Sequence, residues 1–116
     1  MEVVIDGIVY VPKEKDKEVE SIIVKQYNEF HVYPNELGKM NWEDAVKAVK
    51  ELGNNWRLPT IEECFIMYNH KIITTGYYWS STEYCDNFAY SFDFSGGYAS
   101  SDYKTSTNAV RGVRTV

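Results

Sequence analysis

Asn55-Trp56-Arg57-Leu58-Pro59-Thr60-Ile61-Glu62-Glu63 carries an apolar turn directly into a helix. Thr60 and Glu63 form the T-x-x-E pattern of a capping box, in which the hydroxyl satisfies an amide of the first turn and the carboxylate reaches back to the cap. Pro59 disfavours helical geometry at Leu58, so the helix starts no earlier than Thr60. Arg57 is flanked by Trp56 and Leu58, and five guanidinium donors leaving water require carboxylates or carbonyls. A structural ion pair to Glu63 or Glu62 is therefore expected. Trp56, Arg57, Pro59, Thr60 and Glu63, with Trp79 further on, are assigned structural roles.

The helix opened by Thr60 is predicted over about Ile61 to Tyr68, with Ile61, Cys64, Phe65 and Tyr68 on its buried face. Upstream, Asn41 reads as the cap of another helix, and Gly53 as its stop. Trp42, Ala45, Val46, Val49 and Leu52 recur at helical spacing, whereas Glu43, Lys47, Lys50 and Glu51 point away. Before it, Ser21 to Tyr33 is β-branched and aromatic and ends at Pro34-Asn35, which predicts strand with a break near Asn28. Residues 2 to 11 are two β-rich runs around Asp6-Gly7, a strong two-residue hairpin signal. Residues 13 to 20 are densely charged and read as a solvated linker. The division predicted is a hairpin over 1–12, a linker over 13–20 and one domain over 21–116.

A chain of 116 residues accommodates one core, not two. A formal charge of −5 argues against nucleic acid or anionic lipid as a partner, because both select a positive surface. No stretch approaches the roughly 18 apolar residues of a membrane span, and no signal peptide is evident, so neither membrane insertion nor export is expected. The protein is expected to be cytoplasmic as made or part of a phage particle. Cys64 and Cys85 match no zinc spacing, and His31 and His70 are isolated, so no metal or other cofactor is expected. Two reduced thiols are expected, one disulfide being the alternative.

Beyond Gly76 the composition changes. Residues 77 to 108 hold six Tyr and seven Ser but no Leu, Ile or Val, which suits either the end of a small sheet or a paratope-like binding face. In Phe88-Ala-Tyr-Ser-Phe-Asp-Phe94 the rings alternate, predicting Phe88, Tyr90, Phe92 and Phe94 inside and Ala89, Ser91 and Asp93 outside. Ala109 to Val116 is predicted to be a single last strand, with Arg111 and Arg114 on opposite sides of it. The candidate ligand face comprises Tyr84, Asp86, Asn87, Ser91, Asp93, Tyr98, Ser100, Asp102 and Tyr103. No nucleophile with a nearby base, carboxylate pair or phosphate loop can be named, so no catalytic residue and no enzyme is expected.

Arg57 to Glu63, Tyr78-Trp-Ser-Ser-Thr-Glu-Tyr84, Ala89-Tyr-Ser-Phe-Asp-Phe94, Gly97, Lys104 and Val110-Arg-Gly-Val-Arg114 together resemble the Lcl C-terminal domain family. The resemblance covers roughly residues 30 to 116. It implies an α+β, C-type-lectin-like fold, distantly similar to that of formylglycine-generating enzymes, with two short helices packed on antiparallel sheet and the hairpin added in front. It also implies bacterial surface or phage and prophage proteins, some of them display proteins of diversity-generating retroelements. The Glu-Pro-Asn and Trp-Asn-Asp motifs of calcium-dependent sugar binding are absent, Trp79-Ser-Ser81 standing near the place of the second. Neither cysteine sits in the setting of the formylglycine-generating enzymes. The function expected is a non-enzymatic adhesin or receptor-binding module for a protein or glycan ligand on a cell or particle surface. The alternative is a structural component of a virion or surface fibre, with the hairpin pairing copies into a homo-oligomer.

Overall fold

The computed structural model describes residues 3–5, 8–10, 22–24 and 29–115. The Asp6-Gly7 turn, the charged 13–20 segment and the break near Asn28 lie outside the described residues. The fold is α+β, with two helices and two five-stranded sheets among the described residues. Five antiparallel strands form the first sheet: β1 (Val3–Ile5), β2 (Ile8–Tyr10), β3 (Ile22–Val24), β4 (Phe30–Val32) and, from the far end of the chain, β10 (Val113–Thr115). The predicted hairpin strands pair Ile5 with Ile8, and β2 then continues onto β3. The segment predicted as one interrupted strand is two strands, β3 and β4, paired antiparallel with Ile22 opposite Val32.

The second sheet has the order β5 (Lys39–Met40), β9 (Asn108–Ala109), β6 (Tyr77–Cys85), β7 (Phe88–Asp93) and β8 (Tyr98–Tyr103). β9 runs parallel to β6, a departure from the purely antiparallel meander expected. The predicted last strand is divided between the two sheets, β9 pairing with β5 and β6 while β10 pairs with β4. The residues between them redirect the chain: Leu37 N–H donates to the Val110 carbonyl, Val110 N–H donates to the Gly38 carbonyl, and Tyr33 N–H donates to the Gly112 carbonyl at 2.8 Å. Arg111 consequently lies outside any strand, donating to the Tyr33 and Pro34 carbonyls, while Arg114 lies over the Trp56 ring at 4.9 Å. The prediction of two opposed side chains on one strand does not hold.

Helix α1 (Trp42–Lys50) starts where expected, with the Asn41 side chain accepting from Asp44 N–H. Helix α2 (Ile61–Asn69) carries the full capping box: Glu63 N–H donates to Thr60 Oγ1, and Thr60 N–H donates to Glu63 Oε1. Glu63 also receives Arg57 in a two-pronged bond, Nη1 to Oε1 at 2.8 Å and Nη2 to Oε2 at 2.9 Å. Arg57 further bonds Thr115 Oγ1 and forms an isolated bridge with Val113, so the turn is tied to β10. The face of α2 differs from expectation. Cys64 and Met67 are buried, whereas Phe65 is 41% exposed and rests edge-on against Phe92.

Two apolar clusters flank the second sheet. One unites Phe30 and Val32 of β4, Val113 of β10, Cys64 and Met67 of α2, Tyr78 and Phe92 of the second sheet, and Phe94 in the turn after β7. The other places Ala45 and Val49 of α1 with Leu58, Trp79, Ala89 and Val110. Cover on both sides removes the solvated face that strict alternation had assumed. Ala89, Ser91 and Asp93 are therefore buried along with Phe92 and Phe94. At the turn between β7 and β8, Gly97 has φ +79°, and an added Cβ would fall 2.5 Å from the Tyr68 ring. Gly97→Ala is expected to lose about 1–2 kcal/mol through the left-handed backbone and displacement of Tyr68, read as a lowered denaturation midpoint.

Candidate functional site

The site is built at the end of the second sheet where β6 turns into β7. Opposite the β7 register, β6 bulges between Trp79 and Glu83, and the bulge is fastened from several sides. Ser80 Oγ donates to the Tyr90 carbonyl, Ser81 N–H to the Pro59 carbonyl, and Thr82 Oγ1 accepts from Ile61 N–H at the start of α2. Trp42 Nε1 donates to the Ser80 carbonyl, and Trp79 Nε1 to the Met40 carbonyl. The Leu58-Pro59-Thr60 turn and the Tyr78-Trp-Ser-Ser-Thr segment thus form one framework. A bulge re-aims the side chains beyond it.

Beyond the bulge stand four rings. Tyr84 meets Phe88 at 6.4 Å and Tyr90 at 5.8 Å, both edge-to-face, and Phe88 meets Tyr103 at 4.3 Å. Phe88 and Tyr103 are register partners across β7 and β8, which puts both on one face. Tyr84 is 62% exposed and Tyr103 60%, while Phe88 and Tyr90 are half-buried. The interior placement expected for Phe88 and Tyr90 is corrected, because the α2 rings Phe65 and Tyr68 meet Phe92 and not these two.

Beside the rings, a cleft of about 440 Å³ is lined by Asn41, Glu43, Asp44, Asp86, Asn87 and Tyr103, among others. Tyr103 belongs to both features and joins them. Lys104, also in the cleft wall, is held at 2.6 Å from Glu83 and lies 4.5 Å from the Trp42 ring centroid. Its backbone is fixed as well: Lys104 N–H donates to the Asn87 carbonyl, and its own carbonyl accepts from Trp42 N–H. The start of α1 is thereby docked against the β6–β7 turn.

Of the nine residues assigned to a ligand face, the structure gathers Tyr84, Asp86, Asn87 and Tyr103 at this end. Tyr98 is at the opposite end of β8, paired with Asp93 in register. Hydrogen bonding with Tyr77, and then with Asp93, pushes its phenol up to about 12. Ser91 and Asp93 are buried, contrary to the expectation that they face solvent. Ser91 Oγ donates to Asp102 Oδ2 at 2.8 Å, and Asn108 Nδ2 donates to the same oxygen at 3.0 Å, an internal polar network that occupies Asp102. Ser100, half-buried, pairs with Ser91 across the strands. Sequence reasoning missed Phe88, Tyr90, Glu43 and Asp44. The spacing of Tyr98 and Tyr103 was available as a signal, because an odd separation puts two strand residues on opposite faces. Nothing local to Glu43 and Asp44 announces their proximity to Asp86.

Cys64 and Cys85 are both free thiols, the first buried and the second exposed. Burial, followed by the charge of Glu63, pushes the Cys64 thiol well above its ordinary range. A maleimide is expected to label Cys85 within minutes and Cys64 only after unfolding, since the thiolate is the reactive form. Equal labelling of both in the folded protein, counted by mass spectrometry, would contradict this packing. Among the described residues, no group of three or more His, Cys, Asp or Glu gathers to hold a metal ion, and no helix is long and apolar enough to cross a membrane.

These features define a small α+β domain with capped helices and an aromatic end to one sheet. The chain belongs to the Lcl C-terminal domain family, whose model matches residues 18–114. No curated protein matches the sequence.

Proposed function

We propose that the protein is a non-enzymatic, C-type-lectin-like binding module whose ligand face is the ring set Tyr84, Phe88, Tyr90 and Tyr103 with the adjoining cleft. The observation that carries this is the exposure of Tyr84 and Tyr103, the two most exposed large apolar side chains among the described residues, within one set of contacting rings on a sheet packed on both faces. Tyrosines so placed contribute little to folding and offer a large, amphipathic contact area at low entropic cost. A cleft of about 440 Å³ beside them falls within the size range of small ligand sites. Asp86 and Asn87 occupy the connecting turn, where a fixed scaffold commonly presents its binding groups. We extend this reading to an adhesin or receptor-binding role on a bacterial or phage particle surface, including a retroelement-diversified one, as the resemblance to the family implies; the match itself gives the family alone. The test is a combined protein and glycan array probed with the parent and with variants at Tyr84 and Tyr103.

A second reading is an assembly component of a virion or surface fibre. It is favoured by β1, which among the described residues ends the first sheet and presents an edge to pair with another copy. Light scattering during size exclusion distinguishes the two, a defined oligomer lost on deleting residues 1–20 supporting assembly through the hairpin.

A further inference from the structure

We infer that the aromatic end of the second sheet receives a basic segment of a protein partner, with arginine or lysine side chains laid across Tyr84 and Tyr103 and their charges directed into the adjoining cleft. This rests on the reading of that end as the ligand face and adds the chemistry of what binds there. The first support is the ring set itself. Tyr84 and Tyr103 are exposed, and Tyr84–Phe88, Tyr84–Tyr90 and Phe88–Tyr103 contacts hold the platform in place without covering it. Ring faces carry negative potential and attract guanidinium and ammonium groups.

The second support is charge. Glu43, Asp44 and Asp86 converge on the cleft that Tyr103 closes, and all three are exposed. Among the described residues none of the three takes part in an ion pair. The lysine in the same wall, Lys104, is already matched by Glu83. Glu43 and Asp44 stand in the first turn of α1, where the helix terminus accounts for part of their charge, but Asp86 sits in the β6–β7 turn and has no such role. The protein as a whole carries −5, so long-range attraction also favours a cationic partner. An anionic ligand would meet these carboxylates without a free cation in the cleft wall to offset them.

The test is an NMR titration of the full chain with three probes: an octapeptide of alternating arginine and glycine, its glutamate counterpart, and an uncharged oligosaccharide. The arginine peptide alone is expected to shift the amides of Tyr84, Asp86, Asn87 and Tyr103, with binding that weakens as salt is raised. Asp86→Asn and Glu43→Gln are each expected to weaken it about fivefold at low salt, with melting curves confirming that both variants are folded. Equal shifts from the glutamate peptide or the oligosaccharide would overturn the inference, as would affinity for the arginine peptide that ignores both neutralisations. Absence of any shift from the arginine peptide would overturn it too. In each of those cases the ligand-face reading stands or falls separately, on whether array ligands lose binding when Tyr84 and Tyr103 are replaced.

Discussion

Replacement of Arg57 by alanine is expected to lower the melting temperature by roughly 10 °C. Arg57 donates through both Nη atoms to Glu63, to Thr115 Oγ1 and to the Leu58 carbonyl. It therefore locks the α2 cap, the turn before it and β10 into one arrangement. Removing one member of a fully buried pair costs about 3–5 kcal/mol, and partial solvent screening lowers that. Here the side chains are 36% exposed for Arg57 and 16% for Glu63, so a loss of about 2–3 kcal/mol is expected. The abandoned carboxylate keeps its bond from Thr60 N–H, which preserves the helix cap. Arg57→Lys should recover only part of the loss, because an ammonium cannot reproduce the two parallel bonds. A melting temperature within a degree or two of the parent would mean that the turn is held by Trp56, Leu58 and Pro59 alone, all three buried.

This region is also where the sequence was most legible. The T-x-x-E pattern, the Asn41 cap and the Trp42, Ala45, Val46 and Val49 positions of the apolar stripe are local signals realised at the residues that carry them, whereas Leu52 falls beyond the end of α1. The ion pair to Glu63 was readable for the same reason, since its partners are six residues apart and separated by a capped turn. What was not legible depends on distant chain. Strict alternation along β7 presumes that one side is solvated, and only the packing of α1 against Trp79 and Ala89 makes the Ser91 side an interior. The single last strand was likewise a local reading. Pairing of Val113 with Val32 and of Ala109 with Lys39 assigns its two ends to different sheets. On α2, Met67 replaces Phe65 in the core because strands of both sheets converge on that side of the helix, and Phe65 is left at its edge.

The candidate site was half legible. Tyr84, Asp86, Asn87 and Tyr103 were chosen on composition and turn position, and they do adjoin one another, whereas Tyr98 with Asp93 belongs to the far end of the same strands. The ring contacts that make Phe88 and Tyr90 part of the surface follow from the β6 bulge and from the short reach of α2. Neither can be read from ring spacing alone.

The second large effect concerns binding. Joint replacement of Tyr84 and Tyr103 by serine is expected to weaken ligand binding by about 30-fold per residue, the effect of losing aromatic anchors worth about 2 kcal/mol apiece. Stability should change by less than about 1 kcal/mol per site, since both side chains are mostly in solvent. Tyr98→Ser serves as the control: equally exposed in kind but bound to Tyr77 and Asp93 at the opposite end, it should leave binding intact. The most direct measurement is therefore the array experiment run with parent, Tyr84→Ser/Tyr103→Ser and Tyr98→Ser proteins of matched melting temperature. Loss of the parent's ligands by the double variant alone is the predicted result, and a double variant that retains them at parental affinity would contradict the assignment of the ligand face.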